Sequence, residues 1–133
     1  MPAVMDACAI IAYLRDEPGA EIVEEALLNE TCFIHALNLC EVYRICLVRG
    51  EPIVIADALL ADLAELGLVS REDMDPELWK HAAVLKGEIR NIPYGDCFAL
   101  ALTQRLNGVL YTSDHNDFDR AVATGKHTVK FIR

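Results

Sequence analysis

The feature that most constrains the fold is the alternation of short β-type segments with longer helical segments along the whole chain. The β-type segments are rich in apolar, β-branched or aromatic residues and span 3–5, 31–36, 67–71, 108–112 and 128–132. Strands that alternate with helices pair in parallel, and such sheets are covered on both faces. The pattern therefore predicts a three-layer α/β sandwich with a mostly parallel five-stranded sheet flanked by helices, in which 67–71 is a short edge strand.

The segments between the strands carry apolar residues three and four positions apart, with charged residues opposite, which is typical of amphipathic helices. Asp75 followed by Pro76 is a helix-start signature, and Gly50 fits the position just past a helix end. We find no repeat, low-complexity tract or linker, so one domain over 1–133 is expected. The predicted helices span 7–14, 18–29, 38–50, 54–67, 76–89, 96–106 and about 118–123.

Composition excludes several classes of protein. No apolar run approaches the roughly 18 residues that a membrane span requires, so no membrane association is expected. Asp6 precedes the first short apolar run and no basic residue does, which is the wrong charge order for a secretory signal, and we expect a cytoplasmic protein. The five cysteines include no C-x-x-C pair, so neither a disulfide framework nor a thiolate zinc site is indicated.

Four acidic residues are placed by this pattern at one edge of the sheet. Asp6 follows the first strand and Asp114 follows the fourth, and the carboxyl ends of parallel strands share an edge. Glu41 is expected in the first turn of the helix after the second strand, and Asp96 opens the helix that leads into the fourth strand. All four side chains can therefore meet at the edge where ligands bind in such folds.

Each acid taken alone has an explanation as a helix cap, and Asn38 with Glu41 matches a capping box. Four uncompensated carboxylates close together would, however, raise one another's pKa values, and capping does not require that. A divalent cation removes the repulsion, and a donor set made only of oxygen suits Mg²⁺ or Mn²⁺. Such ions activate water and clamp phosphates, so the cluster indicates phosphodiester hydrolysis.

The stretches "VMDACAIIAYLRDEPGAE", "NLCEVYR" and "GDCFALALTQRLNGVLYTSDHNDF" resemble the four acidic motifs of the PIN-domain family, in particular the VapC-type toxins of prokaryotic toxin–antitoxin pairs. The similarity runs in the right order over nearly the whole chain. The resemblance implies a metal-dependent endoribonuclease with a five-stranded parallel sheet. It also implies homodimerisation and inhibition by a cognate antitoxin protein.

Carried over residue by residue, the resemblance assigns catalysis and metal binding to Asp6, Glu41, Asp96 and Asp114. Asp117, in the same loop, is a further candidate that would bind the metal through water or support the other ligands. Asp119 is expected to face solvent. The chain departs from the family pattern in having Cys8 where a small hydroxyl residue is often found and Cys97 where alanine is usual. Nearby carboxylates would raise the pKa of the Cys8 thiol and disfavour a nucleophilic thiolate.

Candidate groups for contacting RNA or moving protons are few. His35 is expected to be a packed histidine and His115 a loop residue. Five basic residues could contact phosphates at the rim of the site or could be ordinary solvated charges: Arg15, Arg44, Arg49, Lys86 and Arg90. The apolar stripes on 38–49 and 54–66 could receive a second protomer or an antitoxin peptide, or could simply be core.

Two functions remain open from the sequence. The formal net charge of −9 argues against binding nucleic acid through a broad basic surface and favours a non-catalytic protein-interaction module on the same scaffold. The complete set of acids favours an enzyme that hydrolyses RNA, since a decayed site would be expected to lose ligands. A cation held by those acids would also reduce the local repulsion of a polyanion.

Overall fold

Five short strands form one sheet in the computed structural model, which describes residues 1–133. The strands are β1 (Ala3–Met5), β2 (Cys32–His35), β3 (Leu68–Arg71), β4 (Val109–Thr112) and β5 (Val129–Phe131). The helices are α1 (Ala7–Leu14), α2 (Ala20–Asn29), α3 (Ala36–Val48), α4 (Ile53–Glu65), α5 (Pro76–Glu88), α6 (Tyr94–Arg105) and α7 (His115–Ala123).

The sheet has the strand order β3-β2-β1-β4-β5, and every neighbouring pair is parallel. Met5 is in register with Ile34 on one side and Tyr111 on the other, so β1, β2 and β4 end at the same level. This arrangement confirms the predicted five-stranded parallel sheet, including the short edge strand. Its carboxyl edge is where the acidic residues emerge.

Side chains alternate between the two faces of the sheet and pack into two hydrophobic cores, one on each face. Ala3 and Met5 of β1 pack with α1, α2, α3 and α4 on one face. Val4 packs with α5, α6 and α7 on the other face. This alternation follows from the period of two along a strand, and it explains why the short central strand is apolar throughout.

Five helix starts differ from the sequence prediction by one to three residues, and a side-chain cap explains two of them. Helix α3 begins at Ala36 because Nδ1 of His35 accepts a hydrogen bond from the Leu37 amide at 3.1 Å, so His35 is the cap. The predicted capping box of Asn38 and Glu41 is therefore wrong, and Asn38 lies inside the first turn. Helix α7 begins three residues earlier than predicted, because the carboxylate of Asp114 caps it.

The five cysteines are all free, and Cys32, Cys46 and Cys97 are buried. No helix combines the length and apolarity needed to cross a membrane.

Candidate active site

Asp6 is the most deeply buried acid, with 2% of its surface exposed at the carboxyl end of β1. Its Oδ1 accepts a hydrogen bond from the Ala9 amide at 2.8 Å and caps α1. Its Oδ2 accepts a short hydrogen bond from the hydroxyl of Thr112, the last residue of β4. The same hydroxyl accepts from the Asp114 amide at 2.9 Å. Thr112 therefore fixes Asp6 relative to the loop that carries Asp114.

Asp96, Asp114 and Asp117 place one carboxylate oxygen each within 4.8 Å of one another. Asp114 caps α7 and accepts from the Asp117 amide at 3.2 Å, which sets the backbone of this loop. Asp117 lies in the first turn of α7 and pairs with Arg120 at 3.4 Å. Asp96 enters from the first turn of α6. The starts of α6 and α7 thus bring three carboxylates together beside Asp6, which caps α1.

Glu41 stands at the edge of this group. Since α3 starts at Ala36, Glu41 is in the second turn rather than the first, and it is exposed. It is not one of the three acids whose oxygens converge, but its charge contributes to raising the pKa values of Asp6 and Cys8. The structure therefore places the predicted acids as an inner group of four aspartates with one glutamate at the rim.

Burial and mutual repulsion disfavour the charged forms of the inner acids. Burial raises the pKa of Asp6 to about 7, against the hydrogen bonds from Thr112 and Ala9, and the charges of Asp114 and Glu41 add to the rise. Burial, a hydrogen bond shared with Asp117 and neighbouring carboxylates raise the pKa of Asp96 to about 9. Burial is also the main reason why the pKa of Asp114 is raised.

The inner group fits a hard divalent cation. All donors are carboxylate oxygens, which suits Mg²⁺ or Mn²⁺ better than zinc. Oδ2 of Asp96 is buried and has no hydrogen-bond partner in the protein, although a buried oxygen of this kind normally has one. A cation bound among these acids would satisfy that oxygen and offset the repulsion that raises the pKa values.

Cys8 is half-buried beside the acids, and its thiol does not provide a nucleophile. Burial raises the pKa of Cys8 to about 12, and the charges of Asp6, Asp114, Glu41 and Asp96 act in the same direction. The thiol therefore stays protonated at neutral pH. Its proximity to four acids shows that residue 8 lines the site, as the family pattern predicts for this position.

Neither candidate histidine lies free at the site. His35 is buried, accepts from the Leu37 amide, and its Nε2 lies 2.9 Å from the carbonyl oxygen of Asp73, which makes it the packed histidine that was expected. His115 is the first residue of α7 rather than a loop residue. It stacks on Phe131 and pairs at 2.9 Å with Asp119, so Asp119 is a surface acid directed away from the cluster.

The candidate basic residues divide into engaged and free side chains. Nζ of Lys86 donates to the Ile92 carbonyl and lies 4.9 Å from the centre of the Tyr94 ring, and Arg49 pairs with Glu17 at 3.8 Å. Arg15, Arg44 and Arg90 are exposed and make no ion pair. Arg15 lies at the end of α1 opposite Asp6, so Arg44 and Arg90 are the two that remain candidates for phosphate contacts.

Sequence reasoning missed two polar residues of the site. Arg120 pairs with Asp117 and donates to the Arg90 carbonyl, and its spacing of three residues from Asp117 on a helix is the signal that could have identified it. Thr112 ends β4 with a hydroxyl in an otherwise apolar strand. No local pattern indicates that this hydroxyl bridges Asp6 and the Asp114 amide, because the bridge joins residues 106 positions apart.

The sequence matches a protein-family model, and the fold is similar to several solved structures. The family model for the PIN domain matches residues 3–123. VapBC-1 from nontypeable Haemophilus influenzae is similar with a TM-score of 0.74 at 19% identity, covering 99% of this chain and 98% of that one. A toxin–antitoxin complex from Klebsiella pneumoniae is similar with a TM-score of 0.74 at 18% identity, covering 98% of both chains.

The Mycobacterium tuberculosis toxin VapC20, described as cleaving the sarcin–ricin loop, is similar with a TM-score of 0.68 at 14% identity, covering 90% of this chain and 94% of that one. At these identities the likeness to solved structures is one of fold. The comparison with curated protein sequences found no match.

Proposed function

Because the chain belongs to the PIN-domain family, as its acidic motifs predict, we propose that it is a metal-dependent endoribonuclease and the toxin of a toxin–antitoxin pair acting in the cytoplasm. The observation that carries the proposal is the convergence of the Asp96, Asp114 and Asp117 carboxylates beside buried Asp6. Members of this family are generally nucleases that use divalent metal. The substrate class proposed here is RNA.

The inner aspartates would hold Mg²⁺ or Mn²⁺, with Glu41 completing the set from the rim. When bound, the ion would supply Lewis-acid activation of a water and of the scissile phosphate. Thr112 orients Asp6 through its hydroxyl, and the Asp114 cap holds the first turn of α7 so that Asp117 faces the cluster. Of the candidate basic residues, Arg44 and Arg90 would contact the RNA backbone.

An antitoxin partner is supported by a groove between α1, α2 and α4. The groove has a volume of about 540 Å³, and Leu14, Leu59 and Leu63 line its apolar floor. Its rim carries only acidic charges, contributed by Asp16, Glu21, Glu24 and Asp62. An amphipathic basic segment would match both the floor and the rim. Several similar structures are toxin–antitoxin complexes, which is consistent with such a partner.

A homodimer is supported by an exposed apolar patch at the turn between α3 and α4. Val48, Ile53 and Val54 form this patch and are 69%, 62% and 76% exposed. Clustered exposure of large apolar side chains is unusual on a small monomer and marks interaction surfaces. The predicted apolar stripes on 38–49 and 54–66 therefore have two parts. Val42, Cys46, Ala56 and Leu63 are buried in the core. The exposed patch at the turn would be available to a second protomer.

RNA cleavage by the purified protein tests the enzymatic proposal. Wild type, Asp96→Asn and Asp119→Asn are prepared identically and incubated with cellular RNA in Mg²⁺ or Mn²⁺, and with chelator. We expect cleavage by wild type and by Asp119→Asn, and its loss in chelator and in Asp96→Asn. Asp119→Asn is the matched control, because Asp119 is an exposed acid of α7 that lies outside the cluster.

The alternative function is a protein-interaction module without catalysis, and the net charge of −9 favours it. Equal inactivity of wild type and Asp96→Asn, together with no metal-dependent rise in the melting temperature of wild type, would support that module and overturn the nuclease. Cleavage that survives equally in Asp96→Asn would indicate a contaminating enzyme and would also count against the proposed site.

A further inference from the structure

Asn38 is a polar side chain in the interior at the edge of the acidic cluster. It is 0% exposed and lies in the first turn of α3, one helical turn before Glu41. It does not cap the helix, since the imidazole of His35 does so. A buried amide that is not a cap requires another explanation.

The side chain of Asn38 connects the helices that carry two of the acids. Its Nδ2 donates to the carbonyl oxygen of Gly95 at 3.2 Å, and Gly95 directly precedes Asp96. A Cβ atom added to Gly95 would lie 3.6 Å from Nδ2, so the amide packs directly on the backbone at the start of α6. The contact spans 57 positions of sequence and ties the first turn of α3 to the first turn of α6.

This contact is not explained by stability. Gly95 lies within α6, where its carbonyl already accepts the amide hydrogen bond of the following turn, so the Asn38 side chain satisfies no unpaired backbone group. Oδ1 of Asn38 is itself buried without a hydrogen-bond partner, which is unfavourable. An apolar side chain of the same shape would avoid that penalty. The amide therefore fits a role in placing α6 better than a role in holding the fold together.

We propose that Asn38 is a positioning residue that sets the start of α6 against α3, and so places Asp96 relative to Glu41 and the other acids for metal binding. The inference rests on the proposed metal-dependent function and adds a residue to it. Asn38 acts through the Gly95 backbone and not by touching substrate. Its loss should weaken metal binding without weakening the metal-free fold.

The test compares Asn38→Leu with wild type in Mn²⁺ binding, followed by the electron paramagnetic resonance signal of free Mn²⁺. Leucine branches at the same carbon and removes both the donor and the unpaired acceptor. We expect the dissociation constant to rise about tenfold or more, as is typical when a group that orients metal ligands is removed. The melting temperature of the metal-free protein should stay level or rise. A purely structural role would instead lower it.

Thr103→Val is the matched control. Thr103 is a buried polar residue of α6, the helix that carries Asp96, and its hydroxyl donates to the Ala99 carbonyl at 2.7 Å, away from the acids. Its Mn²⁺ affinity should equal that of wild type. If Asn38→Leu is not folded by circular dichroism, Asn38→Ser is measured in the same way, because serine is small enough to be accommodated and too short to reach Gly95.

The outcomes separate this inference from the function on which it rests. If wild type binds Mn²⁺ and the folded Asn38 variant binds it within about twofold of wild type, the positioning role is overturned and the nuclease proposal stands. If wild type binds no Mn²⁺ and cleaves no RNA, the proposed function fails, and the inference fails with it. Weaker binding in Asn38→Leu with an unchanged Thr103→Val establishes the role.

Discussion

At the scale of single residues, the site is built from carboxylates held where their charge is unfavourable. Asp6 is enclosed by the ends of β1 and β4, and Asp96 has a buried oxygen without a partner. Both groups have pKa values raised by burial first and by neighbouring carboxylates second. The raised pKa values therefore lower the free energy of unfolding of the metal-free protein at neutral pH. A bound cation would increase it again.

The stability of the metal-free protein is predicted to fall as the pH rises from about 5 to about 9. Folded Asp6 and Asp96 keep protons up to pH values of about 7 and about 9, whereas the unfolded chain releases them near 3.8. The folded state thus binds more protons across this window, and stability decreases with pH. Thermal melts in chelator across a pH series would measure this decrease.

Added Mg²⁺ or Mn²⁺ should raise the melting temperature more at pH 8 than at pH 6, since the cation binds the ionised acids. Asp96→Asn should flatten the profile in chelator and raise the melting temperature at pH 8 by about 5 °C. Asp119→Asn, an exposed acid outside the cluster, should behave as wild type. A profile in chelator that rises from pH 5 to pH 9 would contradict this account of the burial of Asp6 and Asp96.

At the scale of elements, the aspartates of the site lie at the starts of helices. A separate network of ion pairs joins α5 to α6. Arg105 at the end of α6 forms two hydrogen bonds to Asp75, at 2.6 and 2.7 Å, and one to Asp73 at 2.9 Å. Asp75 caps α5, and Asp73 also pairs with Arg71 at the end of β3. These pairs lower the pKa values of Asp73 and Asp75, with the arginine hydrogen bonds as the main cause.

Arg105→Gln is predicted to lower the melting temperature by an amount that shrinks with salt and to leave RNA cleavage unchanged. The variant loses a bidentate pair and the support of the α5 cap, while the acids lie at the opposite end of α6. Thermal melts at about 0.05 M and about 1 M salt would show the difference, because salt screens exposed pairs. An equal loss at both ionic strengths, or a loss of cleavage, would contradict this assignment.

At the scale of the whole molecule, two separate surfaces are free for partners. The acidic groove lies between α1, α2 and α4, and the apolar patch of Val48, Ile53 and Val54 lies at the α3–α4 turn. The acids of the site lie at the carboxyl edge of the sheet, distinct from both surfaces. The proposed cleavage, self-association and inhibition should therefore be altered by separate substitutions.

Val54→Glu is predicted to convert the proposed dimer to a monomer. The side chain is 76% exposed, so a charge there should leave the fold and the melting temperature of the monomer unchanged while opposing burial in an interface. Light scattering after size-exclusion chromatography over a concentration series should show a dissociation constant raised at least about tenfold. Glu51→Gln, a change at the same turn outside the apolar patch, is the control. A dimer of unaltered affinity in Val54→Glu would exclude this patch as the interface.

The sequence alone determined the order of the elements and the edge of the sheet where the acids emerge. Both follow from local signals: the two periodicities, the turn residues, and the rule that parallel strands end together. Helix starts were therefore predicted to within three residues, with the largest error at the start of α7. Helix α3 starts early because its cap is His35, which is not among the residue types that usually cap helices, and α7 starts early because its cap is Asp114.

The tertiary structure alone decided which acids converge and how they are charged. Asp117 joins Asp96 and Asp114 within 4.8 Å, while Glu41 stays at the rim, because the start of each helix sets the depth of its carboxylate. The burial of Asp6, its bond to Thr112 and the contact of Asn38 with Gly95 join segments far apart in the chain. Such contacts depend on packing, and desolvation, which sets the pKa values, exists only once the chain has folded.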